Sequence, residues 1–174
     1  MIAEFDGVRP VIGDNVFIAE NAVAAGRVTI GDGASLWYGA VVRADINTAV
    51  IGCRTNIQDN AVVHVGGEYP AVIGSNVTIG HGAIVHGCTI EDNVLIGMGS
   101  IIMNGAVIGT GSIIGAGALV KENTVIPAGS VAVGSPCRIV KQTSDEQMEM
   151  IRRAAEHYAE LAGKFRTVTG EQSM

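Results

Sequence analysis

Three of the four histidines in this sequence lie close together, at His64, His81 and His86. Neutral imidazole nitrogens are common zinc ligands, and a set of three leaves coordination positions open for water. A cation held in this way lowers the pKa of its water toward about 7, which supplies a hydroxide near neutral pH. The three histidines therefore predict a catalytic metal site, whereas the isolated His157 is expected to be a solvated or packing residue on a helix.

These histidines occur inside a six-residue repeat that covers most of the chain. Aliphatic residues recur mostly at every sixth position from Ile12 to Ala132, and glycine often follows them. Such a pattern places one inward aliphatic side chain and one small corner residue in each unit. The pattern resembles the hexapeptide-repeat left-handed parallel β-helix, in which three units form one triangular coil of about 18 residues. The resemblance implies an all-β fold of about seven coils over residues 10–137.

The second position of each unit is usually glycine or another small residue, but Arg43, His64 and His86 break this rule. One coil plus a short insertion separates successive members of this set, so their side chains are expected to stack in one column. Neighbours in such a column are about 4.8 Å apart, which suits a metal ion shared by His64 and His86. His81 lies on the preceding side of the coil, one coil after Asp59, and a neighbouring subunit could supply it to the pair.

The repeat is interrupted at three places, between residues 42 and 51, 63 and 73, and 85 and 90. The first two interruptions add residues, and the third removes one. Added residues in a solenoid are expected to form external loops, often at a binding face. The larger loop is expected around residues 66–70. It carries Glu68, which is either a proton shuttle or a solvated loop residue.

A helical pattern follows the end of the repeat near Pro136. Ser144 and Gln147 have the spacing of a capping box. Apolar residues then recur at helical spacing from Met148 to Phe165. We therefore expect one C-terminal α-helix over residues 143–166, packed on the outside of the β-helix, within a single domain that spans residues 1–174.

Several polar segments around the histidines resemble the signature of the γ-class carbonic anhydrase family. The matching segments are Arg43-Ala44-Asp45, Asn56-Ile57-Gln58-Asp59, His64 and His81-Gly82-Ala83-Ile84-Val85-His86-Gly87. The resemblance implies a homotrimer with a metal ion at each subunit interface, bound by His64 and His86 of one subunit and His81 of its neighbour. The metal is expected to be Zn²⁺, with Fe²⁺ or Co²⁺ as alternatives. The implied reaction is the reversible hydration of CO2 to bicarbonate by a metal-bound hydroxide.

The resemblance also implies roles for residues that do not bind the metal. Gln58 is expected to orient hydroxide or CO2 through its amide, or else to satisfy a corner of the β-helix. Interface ion pairing and support of the ligands are the expected roles of three charged residues, Arg43, Asp45 and Asp59. Asn56 is expected to hold a loop or to line the pocket.

Two aromatic residues also have expected positions. Tyr158 is expected either to reach the pocket from the C-terminal helix or to pack beneath that helix. Trp37 is expected to pack at the subunit interface.

Two departures from the best-characterised branch of the family concern proton transfer. Ile46 replaces the glutamate that follows the aspartate of the Arg-x-Asp motif, and the short loop after His64 has Glu68 as its only acid. We therefore expect an intact metal site with slow proton export.

Two other functions stay open at this stage. Many hexapeptide proteins transfer acetyl groups from coenzyme A, but the later coils offer few basic residues for its nucleotide end: Lys121, Arg138 and Lys141. The other function is that of a trimeric scaffold that binds metal without hydrating CO2.

Composition argues against several further classes of function. A net charge of −6 disfavours a nucleic-acid partner, which requires a basic face. Mean hydropathy is high at +0.36, yet we expect no membrane span because polar residues interrupt every apolar run. The cysteines are widely spaced and odd in number, which favours a reducing, cytoplasmic location: Cys53, Cys88 and Cys137. Cys88, and likewise Cys53 and Cys137, is expected to be a buried small residue rather than a ligand.

Overall fold

The structure is a computed structural model that describes residues 1–169, with side chains described up to residue 165. Within these residues the chain winds into a left-handed parallel β-helix of about seven turns, which one helix follows, α1 (Asp145–Thr169). The fold class that the repeat predicts is confirmed.

In the described part of the chain, twenty strands, most of them only two or three residues long, form the three sides of the β-helix. In chain order they are β1 (Ile2–Ala3), β2 (Val11–Ile12), β3 (Phe17–Ile18), β4 (Val23–Ile30), β5 (Ser35–Leu36), β6 (Val41–Ile51), β7 (Asn56–Ile57), β8 (Val62–His64), β9 (Ala71–Ile73), β10 (Thr78–Ile79), β11 (Ile84–His86), β12 (Thr89–Ile90), β13 (Leu95–Ile96), β14 (Ile101–Ile102), β15 (Val107–Ile108), β16 (Ile113–Ile114), β17 (Leu119–Val120), β18 (Val125–Ile126), β19 (Ser130–Val133) and β20 (Arg138–Gln142).

These strands form two hydrogen-bonded sheets. The larger sheet is folded around a corner, because β4 and β6 continue from one side to the next. We call its two halves side 1, which contains β1, β8, β11, β14 and β17, and side 2, which contains β2, β9, β12, β15 and β18. Side 3 is the smaller sheet, in which β20 alone runs antiparallel to its neighbour β19.

One continuous apolar core runs through the centre of the coils. The isoleucines at the inward position of the repeat are almost fully buried: Ile30, Ile51, Ile57, Ile73, Ile79, Ile90, Ile96, Ile102, Ile108 and Ile114. Each such side chain contributes about 1.5–3 kcal/mol relative to an exposed position. The strand register also follows the predicted insertions, since Val63 pairs with both Val42 and Val85.

The first interruption of the repeat does not form the expected external loop. β6 remains one strand from Val41 to Ile51, and its register against β4 shifts between Gly26 and Val28. The expectation was wrong because a β-bulge absorbs the added residues where both strands turn the corner. The bulge carries Asp45 and Asn47.

The second interruption forms the expected turn. Gly66 and Tyr69 exchange backbone hydrogen bonds of 2.8 and 3.2 Å, which close the turn. Asn47 from the bulge donates to the carbonyls of Gly66, at 3.2 Å, and Gly67, at 3.0 Å. The two insertions therefore support each other on one edge of the β-helix.

Helix α1 packs against side 3, where it contacts β3, β5, β7 and β10. The predicted capping box is present: Gln147 N–H donates to Ser144 Oγ at 3.3 Å, and Ser144 N–H donates to Gln147 Oε1 at 3.2 Å. Ile151, Ala155 and Ala162 are each at most 2% exposed. The helix begins at Asp145 and ends at Thr169, slightly later at both ends than the predicted range of 143–166.

Trp37 lies beneath α1 and not at an open face of the subunit. Only 4% of the residue is exposed, and its Nε1 donates to Ser35 Oγ at 3.0 Å. Its ring centroid lies 5.1–5.4 Å from those of Phe17, Tyr158 and Phe165. The sequence-based expectation was wrong because the helix docks over this coil and covers the ring.

The cysteines are free thiols, and Cys88 is 2% exposed. The expected burial is wrong for the exposed Cys53 and the half-buried Cys137, because both lie in turns. Burial raises the pKa of the Cys88 thiol to about 12, so it stays protonated at neutral pH, as a packing residue does. Across residues 1–169, no helix combines the length and apolar character that a membrane crossing requires.

Candidate metal centre

His64 and His86 end neighbouring strands on side 1. β8 and β11 pair in parallel with His64 opposite His86, and Arg43 on β6 lies opposite His64. The column predicted from the register is therefore present. His64 Nδ1 and His86 Nε2 are 3.0 Å apart, and both side chains are half-buried.

The outer nitrogen of each ring faces a hydrogen-bond acceptor. His64 Nε2 lies 2.9 Å from Asp45 Oδ1, and His86 Nδ1 lies 2.7 Å from Asn104 Oδ1. A carboxylate oxygen and an amide oxygen only accept hydrogen bonds, so both of these nitrogens carry the hydrogen. In the neutral rings, His64 Nδ1 and His86 Nε2 therefore face each other with two lone pairs. We call Asp45, His64, His86 and Asn104 the paired-histidine cluster.

Two lone pairs at this separation repel each other unless a cation binds them. Two nitrogen ligands of a tetrahedral zinc ion, each at about 2.0–2.1 Å, lie roughly 3.3 Å apart. The 3.0 Å separation of His64 and His86 is close to that value. Acceptors behind the rings are also typical of metal-binding histidines, because they fix the ring and its tautomer. The pair therefore fits two ligands of a divalent metal ion.

The pair does not complete a three-ligand site within one chain. Among the residues that the structure describes, no group of three His, Cys, Asp or Glu side chains is placed to hold a metal ion.

Asp45 connects the histidine pair to Arg43. Its Oδ2 is hydrogen bonded to the Arg43 guanidinium, while its Oδ1 accepts from His64. Burial opposes ionisation of this carboxyl group, but the hydrogen bonds from His64 and its own backbone, with the charge of Arg43, hold the pKa of Asp45 below its ordinary value. Asp45 is therefore ionised at neutral pH and keeps the hydrogen of His64 on Nε2.

His81 lies at the opposite edge of side 1, in the turn between β10 and β11. Its Nδ1 is 2.9 Å from Asp59 Oδ2, so Nδ1 carries the hydrogen and Nε2 presents the lone pair. The His81 side chain is 46% exposed. It lies five residues before His86, and only Ile84–His86 of this stretch is strand, so the chain between them spans at most roughly 16 Å. In this structure His81 contacts Asp59 and Gln58 rather than the histidine pair.

Gln58 and Asn56 are buried behind His81 in a chain of hydrogen bonds. Gln58 Oε1 accepts from the backbone N–H of His81 at 3.2 Å, and Gln58 Nε2 donates to Asn56 Oδ1 at 3.1 Å. Asn56 Nδ2 in turn donates to Thr78 Oγ1 at 3.0 Å. This chain fixes the orientation of the Gln58 amide. We call Asn56, Gln58, Asp59 and His81 the single-histidine cluster.

The other predicted candidates surround these clusters. Tyr158 on α1 is half-buried against Trp37, and burial together with the negative charge of Asp59 raises the pKa of its hydroxyl. It thus packs beneath the helix and also faces the single-histidine cluster. Glu68 is exposed on the turn between Gly66 and Tyr69, and His157 is exposed on α1.

Asn104 is the one residue of the paired-histidine cluster that the sequence did not suggest. Strand pairing aligns Val85 with Ile102, so counting along the column places Met103, and not Asn104, beside His86. The spacing from His86 to Asn104 equals one regular coil of about 18 residues. That coil spacing is the signal that could have found it.

The repeat matches a known family. The family described as bacterial transferase hexapeptide (six repeats) matches residues 9–44, 70–102 and 87–122. Among solved structures, a hexapeptide transferase family protein from Anaplasma phagocytophilum superposes with a TM-score of 0.91 at 39% sequence identity. It covers 95% of this chain, which in turn covers 98% of that protein.

Curated relatives also match most of the chain. Gamma carbonic anhydrase 1 of Arabidopsis thaliana mitochondria is 45% identical over 88% of this chain, which spans 58% of that longer relative. A protein of Methanocaldococcus jannaschii named "Probable carbonic anhydrase" is 52% identical over 87% of this chain and 96% of its own length. The chain therefore belongs to the γ-class carbonic anhydrase family of hexapeptide-repeat proteins.

Proposed function

We propose that the protein is a metal-dependent carbonic anhydrase that works as a homotrimer. Each site would be formed by His64 and His86 of one subunit and His81 of the next, around Zn²⁺ or, alternatively, Fe²⁺ or Co²⁺. The observation that carries the proposal is the pair of ring nitrogens 3.0 Å apart, with a hydrogen-bond acceptor beside the other nitrogen of each ring. The names of the relatives support the choice of CO2 and bicarbonate as substrate and product.

The arrangement of side 1 supports a site shared between subunits. The two histidine clusters occupy opposite edges of this side, so one copy can offer His81 to the pair of the next copy around a threefold axis. The outward residues between the clusters are apolar and partly exposed: Val41, Val62, Ile84 and Ile101. An apolar surface of this kind favours burial against other subunits.

The bound metal would act as a Lewis acid that activates water for attack on CO2. The chain's own residues hold the reacting groups. Asp45 and Asp59 keep the hydrogens of His64 and His81 on the nitrogens that face away from the ion. Gln58 uses its oxygen and one N–H in the chain behind His81, so the second amide N–H is left to orient CO2 or bicarbonate.

Proton export depends on few groups. Glu68 is exposed on its turn, and Ile46, which stands where the best-characterised branch carries a glutamate, is 59% exposed and cannot ionise. Turnover is therefore expected to be limited by proton transfer. Added small buffers, which carry protons away, should raise the rate of CO2 hydration and leave the metal content unchanged.

The first test is the metal content of anaerobically purified protein, measured by elemental mass spectrometry. We expect about one metal ion per chain in the wild type and loss of metal in His81→Ala. His157→Ala, which removes the exposed histidine on α1, is the matched control and should keep its metal. CO2 hydration is then measured by stopped flow on the same samples.

Each outcome of that test has a definite meaning. Metal together with CO2 hydration supports the proposed enzyme. Metal without hydration, even with added buffer, would indicate the trimeric scaffold instead. A wild type without metal would overturn the proposal, and measured binding of coenzyme A would then favour an acyltransferase.

Mixed trimers test whether the site is shared. His81→Ala and His64→Ala chains should each fail to bind metal alone. A mixed trimer contains one interface in which all three histidines are intact, so random assembly should restore metal to roughly one quarter of the chains. No recovery in verified mixed trimers would contradict a site shared between subunits.

A further inference from the structure

We propose that Asn104 is a positioning residue that keeps the histidine pair open for a cation. The inference rests on the proposed metal site and concerns a residue outside the ligand set. Asn104 Oδ1 lies 2.7 Å from His86 Nδ1 and holds the hydrogen of His86 on that nitrogen. The lone pair of His86 Nε2 is thereby directed at His64 Nδ1.

The role follows from what the pair would do without this acceptor. A neutral imidazole can carry its hydrogen on either nitrogen. If His86 carried it on Nε2, that N–H would donate across 3.0 Å to His64 Nδ1, whose lone pair Asp45 already directs toward His86. The two rings would then satisfy each other without a metal ion. Asn104 stabilises the other tautomer and so prevents a hydrogen bond between the two rings.

The local backbone leaves room for the Asn104 oxygen. A Cβ atom at Gly87 would lie 2.5 Å from Asn104 Oδ1 and 2.7 Å from Tyr69 Cβ, and Gly87 has a φ of +53°. A Cβ atom at Gly66 would lie 3.3 Å from the same oxygen. The absence of a side chain at these two glycines therefore leaves space for the Asn104 amide beside the His86 ring.

A neutral acceptor also differs from the carboxylates that serve the other two histidines. Asp45 and Asp59 already place two negative charges behind His64 and His81. An amide orients His86 without adding a third charge beside the metal. Asn104→Asp should therefore retain the tautomer, whereas Asn104→Leu, which is similar in size and lacks an acceptor, should lose it.

The test begins with metal-free, full-length protein, labelled with ¹⁵N at histidine. Long-range ¹H–¹⁵N correlation spectra report which ring nitrogen carries the hydrogen. We expect the Nδ1–H form of His86 in the wild type and in Asn104→Asp, and a shift to the Nε2–H form in Asn104→Leu. Asn21→Leu is the control, because the Asn21 oxygen accepts from Gly39 N–H at 2.9 Å in a different coil, away from the pair.

Zinc affinity provides the second measurement, by competition with a chromophoric chelator. Asn104→Leu should bind zinc about 10–100-fold more weakly than the wild type, and Asn104→Asp should restore most of this loss. Melting temperature and trimer mass are recorded for every variant, so that a folding defect is recognised. If Asn104→Leu fails to fold, Asn104→Ser replaces it. The serine side chain is shorter than that of asparagine, so its hydroxyl does not reach the His86 ring.

The outcomes separate this inference from the proposed function. An unchanged His86 tautomer in a folded Asn104→Leu or Asn104→Ser trimer would overturn the role of Asn104, even if the wild type binds zinc. A shifted tautomer in a protein that binds no metal would instead support the role of Asn104 and contradict the proposed enzyme. Weaker zinc binding with a shifted tautomer supports both.

Discussion

Asp45, Asp59 and Asn104 each accept a hydrogen bond from a different histidine, and these contacts decide which nitrogen of each ring is free to bind an ion. Both aspartates could be predicted from the sequence, because they belong to short motifs that resemble those of a known family. Asn104 could not be predicted in this way. Its spacing of one regular coil from His86 is the only sign of it in the sequence, and the contact itself depends on the turn of the backbone past Ile102.

Two serines of the last coils allow a matched test of buried hydrogen bonds. Ser112 Oγ donates to Pro127 O at 3.0 Å and accepts from Ser130 N–H at 3.1 Å, whereas the buried Ser130 Oγ has no partner among the residues that the structure describes. Ser112→Ala should lower the free energy of unfolding by about 1–3 kcal/mol, because it leaves buried polar groups unpaired. Ser130→Ala removes an unpaired hydroxyl and should be neutral or slightly stabilising.

Urea denaturation of both variants checks this expectation. Equal destabilisation by the two substitutions would mean that the Ser130 hydroxyl has a partner in solution, for instance a bound water molecule.

At the scale of elements, the coil repeat is the part of the fold that could be predicted best. Every inward isoleucine has the same local surroundings in each coil, so a short sequence pattern is enough to identify it. The bulge in β6 and the burial of Trp37 beneath α1 could not be predicted, because each depends on contacts between segments far apart in sequence. The side of the β-helix on which α1 docks is likewise a matter of tertiary packing.

Docking of α1 depends on a small number of buried side chains. Ile151 is fully buried against Ile113 and Val131, whereas the neighbouring Met150 is 45% exposed. Ile151→Ala should lower the free energy of unfolding by about 2–5 kcal/mol, and Met150→Ala should change it by well under half of that. Chemical denaturation measures both effects, and limited proteolysis shows whether α1 detaches first.

Similar effects of the two substitutions would contradict this account of α1. They would indicate that the helix is held mainly through its other contacts, such as those of Tyr158 and Phe165 with Trp37.

At the scale of the whole molecule, side 1 is expected to be covered in the trimer and side 2 is not. Ile84 on side 1 and Val72 on side 2 lie in neighbouring coils and are similarly exposed, at 40% and 38%. Ile84→Lys should dissociate the trimer, because it places like charges in an apolar interface. Val72→Lys, the matched control, should leave the trimer intact.

Analytical ultracentrifugation reports the oligomeric state of both variants, and metal content reports the shared site. Loss of metal should accompany loss of the trimer in Ile84→Lys. A trimer that survives this substitution, or one that dissociates with Val72→Lys instead, would show that another side forms the interface.

The reversed strand at the end of the β-helix has a consequence for how copies of the chain meet end to end. Every other pair of neighbouring strands in the solenoid is parallel. The last coil of one copy could therefore form backbone hydrogen bonds with the first coil of another. β20 runs antiparallel to β19 and occupies its outer hydrogen-bonding edge with a wholly exposed strand that carries Arg138 and Lys141. An occupied, positively charged edge discourages the stacking of solenoids into fibrils. Removal of β20 would leave this edge of β19 unpaired and open to a strand of another copy.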